Sequence, residues 1–173
     1  MHQTYYIDGY NVLHHSSELE ELMRDHFEVA RDQLIDRIVH WCAASGEKAN
    51  IIFDGQGKRT EASPNHPDTK LVEILFSSKH LTADMIIERA VFQSSRRESI
   101  IVVSADRGIT DLCMGKGALV MHPRHFWESI RESDSETRRS VAKTQTTRMG
   151  SLEDTLDDSA REHLERIRGE LDS

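Results

Sequence analysis

Long hydrophobic runs are missing from this 173-residue chain. No stretch approaches the roughly 18 consecutive apolar residues of a membrane-spanning helix, so no membrane partner is expected. The first residues lack the basic-then-apolar order of a secretory leader, and export is not expected. Cysteine is scarce. Cys42 and Cys113 lack metal-site spacing and each sits in an apolar pattern. Two buried free thiols in a reducing, cytoplasmic compartment are the expectation. Positive charge is in deficit: 22 Lys and Arg face 30 Asp and Glu, a net charge of -8. That balance excludes a generic nucleic-acid coat protein, which would be basic. It leaves open an enzyme that touches nucleic acid locally and gathers acids around a cation. There is no GxGxxG, no GxxxxGKS/T, no GxSxG and no zinc spacing, so those chemistries lose their sequence support. The pairs His14-His15 and His122/His125 are adjacent or near-adjacent, but neither is followed by a third soft ligand.

What is present is a set of clustered apolar segments. Thr4–Ile7, Ala49–Phe53, Leu71–Phe76, Ser99–Val103 and Ala118–Met121 read as strands. Helical spacing occupies residues 17–26, 28–44, the stretch from Thr82 to about Ser95, a short piece after Gly108, and a last core helix opened by Pro123 and ending near Glu132. Strands alternate with helices, and several strands are continuous apolar runs. That combination predicts an α/β fold with a mainly parallel sheet covered on both faces. Composition shifts near Ser133. Residues 133–150 are rich in Ser, Thr and Arg and read as a polar basic linker. Residues 151–173 read as a charged amphipathic helix, able to take a protein partner or self-associate. That tail holds eight acids against three arginines, and so carries five of the eight net negative charges.

The isolated acids fall in a pattern. Asp8, Asp54 and Asp106 each stand at or just beyond the end of an apolar strand, and Asp84 opens the helix after the third. In open parallel sheets, ligands bind in the crevice outside the carboxyl ends of the strands. Four carboxylates meeting there repel one another, so a cation must offset their charge or some must hold protons. Hard oxygen donors favour Mg²⁺ or Mn²⁺ over Zn²⁺. Each acid also has a plainer reading, as a turn former or a helix cap. Asn11, three residues after Asp8, and Ser104, two before Asp106, are placed to orient a water, a phosphate or a neighbouring acid. Glu88, one turn after Asp84, is either an acid facing the site or a partner for nearby arginines.

Four blocks carry a resemblance: Tyr6-Ile7-Asp8-Gly9-Tyr10-Asn11-Val12-Leu13, Ile51-Ile52-Phe53-Asp54-Gly55, Thr82-Ala83-Asp84 with Glu88, and Val102-Val103-Ser104-Ala105-Asp106-Arg107. Together they resemble the NYN domain, and more narrowly its YacP-like bacterial branch within the PIN-like nuclease superfamily, over roughly residues 3–131. The resemblance implies a Rossmann-like three-layer sandwich (residues 1–132) and a metal-dependent ribonuclease site using Mg²⁺ or Mn²⁺. It places Asp8, Asp54, Asp84 and Asp106 at the acidic metal positions and Asn11 at the polar position after the first Asp. Met85 stands where YacP-like proteins often carry a second acid.

The expected activity is endoribonuclease cleavage of single-stranded RNA, ribosome-associated mRNA included. Lys58, Arg59, Arg107 and Arg124 are the expected phosphate contacts on the rim. Tyr10 is placed either to stack on a base or to pack in the core. The alternative reading is a noncatalytic RNA- or ribosome-binding adaptor on a degenerate nuclease fold. A DNA nuclease is a further one.

Overall fold

The structure is a computed structural model that describes residues 2–55, 70–78 and 81–153, with side chains described as far as Arg139. Five strands, β1 (Thr4–Asp8), β2 (Lys48–Phe53), β3 (Val72–Phe76), β4 (Ile100–Val103) and β5 (Leu119–Met121), form one sheet. All pairings are parallel, in the order β3-β2-β1-β4-β5. The order reverses between β1 and β4, which opens a crevice at their carboxyl ends.

The continuous apolar runs explain the parallel sheet. All four residues of β4 are buried, and side chains of a strand point alternately to its two faces. Ile7, Ile51, Phe53, Ile101 and Val103 meet the core on one face. Ile52, Ile100 and Val102 meet the core on the other. Covering the first face are α1 (Gly9–His15), α2 (Ser17–Asp25) and α3 (Phe27–Ser45), through Leu13, Leu19, Leu34, Ile35 and Ile38. The start of α6 (Pro123–Glu153) adds Phe126, Trp127 and Ile130 to that core. Covering the second are α4 (Ala83–Gln93) and α5 (Arg107–Gly115), through Ile87, Val91, Ile109 and Cys113. Each fully buried Ile or Leu contributes about 1.5–3 kcal/mol of burial energy. The expected α/β sandwich is the observed architecture, with a C-terminal helix. Cys42 and Cys113 are buried and free, as expected.

Two features differ from the sequence reading. Helix begins at Gly9, directly after β1, because Asp8 itself serves as the N-cap of α1. Helical backbone also runs through 133–150, where a linker is expected, as far as Glu153. Residues 124–149 contain neither Pro nor Gly, so nothing in that polar stretch breaks a helix. Contacts nevertheless divide into two units after Ser133, where the composition changes. Of the helix expected over 151–173, only the first three residues are among those described. Among the described residues no helix is long and apolar enough to cross a membrane.

Candidate active site

Asp8 ends β1 at the topological switch point and is 8% exposed. Both of its carboxylate oxygens are engaged by Asn11. The Asn11 N–H donates to Oδ1 at 3.1 Å, and the Asn11 side-chain amide donates to Oδ2. The Asn11 Oδ1 then accepts from the Ala105 N–H at 3.1 Å. One side chain thus ties the end of β1 to the loop leaving β4. Burial raises the pKa of Asp8. The hydrogen bonds from Asn11 and Tyr10 oppose that rise, and the charge of Asp54 adds to it.

Gly9 is required by close approach. A Cβ there would lie 2.3 Å from the ring of Phe53, far inside contact distance. Tyr10 packs on that same ring edge-on, with centroids 5.6 Å apart, and stacks on Phe27 at 5.7 Å. The half-buried Tyr10 therefore takes the packing role of the two expected for it. Burial raises its phenol pKa above the ordinary value.

Asp54 follows β2 and is exposed. It accepts a hydrogen bond from the hydroxyl of Ser77, which is buried just beyond β3. The Ser77 hydroxyl accepts from the Gly55 N–H at 3.1 Å, and the Ser77 N–H donates to the Phe53 carbonyl at 2.9 Å. Ser77 thus holds the loop that presents Asp54. Sequence reasoning missed it. The available signal was a small polar residue directly after an apolar strand, the same signal that singled out Ser104.

Asp84 is the second residue of α4, whose N-cap Thr82 accepts from the Met85 N–H at 3.3 Å. Desolvation raises the pKa of Asp84, followed by the charges of Asp8, Asp106 and Asp54. Asp84 thus feels all three of the other acids. Asp106 caps α5, accepting from the Gly108 N–H at 2.7 Å and the Ile109 N–H at 3.3 Å. Ser104, buried, accepts from the Asp106 N–H at 3.1 Å and fixes that turn. Asp8 and Asp106 therefore hold both proposed duties at once, as helix caps and as members of the acid cluster.

The chemistry of the donor set fits a hard divalent cation: four carboxylates at one edge of the sheet, acting on one another through their charges. Among the described residues, however, no three His, Cys, Asp or Glu side chains stand close enough to hold a metal ion directly. Mg²⁺ commonly keeps several waters and binds through one or two carboxylates, which requires no group of three protein ligands.

The remaining expected residues are spread more widely. Arg107 is exposed at the start of α5. Arg124 is exposed at the start of α6, with its Nε donating to Glu128 at 3.2 Å. Lys58 and Arg59 lie outside the described residues. Glu88 is half-buried and lines a groove of about 370 Å³ with Leu81, Met85, Arg89 and Phe92. Burial pushes the Cys113 thiol up to about 11, with Glu88 and Asp84 adding to it, and burial pushes Cys42 to about 12. Neither thiol is a nucleophile at neutral pH.

A family model for the YacP-like NYN domain matches residues 5–169. The uncharacterized protein YacP of Bacillus subtilis strain 168 is 27% identical over 140 residues, spanning 79% of this chain and 80% of that protein. A crystal structure of Rae1 (YacP) from Bacillus subtilis superposes with a TM-score of 0.71 at 23% identity, covering 99% of this chain and 98% of that one. A crystal structure of a mutant of the same protein gives a TM-score of 0.68 at 26% identity, covering 83% of each chain.

Proposed function

The chain belongs to the YacP-like NYN domain family, a nuclease-type family, and from that premise we propose that it is a cytoplasmic, metal-dependent endoribonuclease acting on single-stranded RNA. The observation that carries this reading is the placement of Asp8, Asp54 and Asp106 at or just beyond the carboxyl ends of the neighbouring parallel strands β1, β2 and β4, with Asp84 opening α4. Asp84 feels Asp8, Asp54 and Asp106, each from a different strand end. Like charges gathered at one edge of a sheet are typical of a catalytic site.

Asp8, Asp54, Asp84 and Asp106 would hold Mg²⁺ or Mn²⁺, one or two of them directly and the others through the ion's waters. Such an ion supplies a polarised phosphoryl oxygen and an activated water. The chain's own residues do the positioning. Asn11 fixes both oxygens of Asp8 and the Ala105 backbone in one arrangement. Ser77 holds Asp54, and Ser104 holds the turn that presents Asp106. Arg107 and Arg124, with Lys58 and Arg59, bind the phosphates on either side of the scissile bond. Ribosome-associated mRNA is one substrate with the required single strand.

A second reading keeps one observation on its side. Asp8 and Asp106 are fully used as helix caps, which is all that a noncatalytic RNA- or ribosome-binding adaptor would ask of them. Labelled RNA and DNA oligonucleotides incubated with Mn²⁺, with Mg²⁺ and with EDTA decide between the two. The expected result is RNA cleavage with either ion, none in EDTA, and a loss of at least about a hundredfold in Asp8→Asn. RNA binding without cleavage establishes the adaptor. Cleavage that survives EDTA refutes the metal mechanism, and preference for DNA refutes the substrate.

A further inference from the structure

The histidines left without a role by the acid site come together in the fold. His15 ends α1 and His122 follows β5, yet their rings meet edge to face, with centroids 4.9 Å apart and planes at 87°. His125, in the first turn of α6, lies 6.0 Å from His122. All three are exposed, with Arg124 between the last two in sequence.

Their hydrogen bonds define which nitrogens face outward. His15 Nδ1 lies 2.7 Å from the Asn11 carbonyl, an acceptor, so neutral His15 carries its proton there and leaves Nε2 free. His122 Nδ1 accepts from the Arg124 N–H at 3.2 Å, which leaves Nε2–H as an outward donor. Because β5 runs parallel to β4, this cluster stands at the same edge of the sheet as the acids. His15 is one helical turn beyond Asn11, the residue that holds Asp8.

Crowded imidazoles at a surface bury little and repel one another once protonated. The groups facing His122 are His15 from α1 and Arg124 and His125 from α6. Desolvation and then those three neighbours lower the pKa of His122. An anion seated among them reverses the repulsion. A metal is the less suitable occupant, since the Arg124 guanidinium brings a fixed positive charge to the cluster.

We propose that His15, His122 and His125, with Arg124, form a subsite for a backbone phosphate of single-stranded RNA beside the acid cluster. It rests on the ribonuclease reading for its substrate class. Phosphate binding favours the protonated imidazoles, for His122 at the cost of the bond its Nδ1 accepts from the Arg124 N–H, so RNA binding takes up protons. Affinity must then rise as pH falls through the histidine range.

The test titrates the full chain, in EDTA, into a fluorescent single-stranded RNA of about ten nucleotides, following anisotropy. Wild type should bind at least about fivefold tighter at about pH 6 than at about pH 7.5. In the double variant His15→Gln and His122→Gln that pH dependence should flatten, and the salt slope should fall by about 0.7 for the lost phosphate contact. Should the double variant fail to fold, His15→Gln alone carries the test, since its ring bonds a carbonyl of its own exposed helix end. Unchanged pH dependence and salt slope in the variants overturn the subsite, as does failure of wild type to bind RNA at either pH. The two readings separate cleanly. Proton-linked RNA binding without cleavage in Mn²⁺ keeps the subsite and removes the endoribonuclease. Cleavage with variants that bind like wild type does the reverse.

Discussion

Gly9 sets the packing tolerance at the end of β1. The Asp-Gly pair reads in the sequence as an ordinary turn, yet no left-handed backbone is involved: the positive-φ glycines among the described residues are Gly46 and Gly117. What demands glycine is the Phe53 ring, 2.3 Å from where a Cβ would sit. Two effects of Gly9→Ala oppose each other. Alanine in a helix start gains up to about 1 kcal/mol of propensity. Overpacking a buried site costs about 1–3 kcal/mol. Phe53 is fully buried and stacked on Phe76, so it has little room to yield. The net expectation is a loss of about 1–2 kcal/mol in urea unfolding; a stabilised Gly9→Ala would show that the Phe53 ring moves aside easily. Asp8, Asp54 and Asp106 are legible because each follows an apolar run, and Asp84 because it opens the helix after one. Ser77 carries the same signal as Ser104, but its tie to Asp54 joins the ends of two different strands and leaves no local mark in the sequence.

At the level of elements, the strand order was not written in the sequence, but its consequence was. Acids at successive strand ends must share one edge if the strands are parallel, and continuous apolar runs indicate parallel strands. α1 escaped notice because its cap is the candidate site residue Asp8, leaving no spacer between strand and helix. The polar composition of 133–150 signals a linker, whereas helix continuation depends first on the absence of breakers, so α6 runs on to Glu153. Its buried face is confined to the start, at Phe126, Trp127 and Ile130. Contacts also divide after Ser133. A chain ending at Ser133 should therefore remain folded, with a melting temperature within a few degrees of the full chain, and should retain cleavage of short RNA. An unfolded truncation product would place the later helix in the core.

For the molecule as a whole, the acid cluster gives stability a recognisable pH signature. The pKa of Asp8 is raised above its ordinary value, and so is that of Asp84. A carboxyl with a raised folded pKa holds its proton in the folded chain where the unfolded chain has released it. The unfolded state then binds fewer protons, so stability falls as pH rises from about 4 through the raised values, and stays lowered above them. Asp8→Asn should flatten part of that fall. It also leaves the Asn11 amide facing another amide N–H in place of Oδ2, at a cost of about 1 kcal/mol. Metal-free stability near neutrality should thus be close to wild type, while Mn²⁺ should raise the melting temperature of wild type more than that of the variant. Equal metal shifts in both proteins would remove Asp8 from the cation site. The net charge of -8 gave no hint of this arrangement, because most of it belongs to the last residues of the chain.

The bond between Asn11 and Ala105 joins residues 94 positions apart. Contacts of that separation close only after the intervening chain has been ordered, because loop entropy opposes them until then. The strands on one side of β1 come from the intervening sequence, and β4 completes the other side. The distance between Asp8 and Asp106 is therefore undefined until β4 has paired with β1. A nascent or locally unravelled chain holds its acids but not their arrangement, which forms only when the last crossing is made. On the ribonuclease reading, the capacity to cut RNA would then depend on the completion of folding itself.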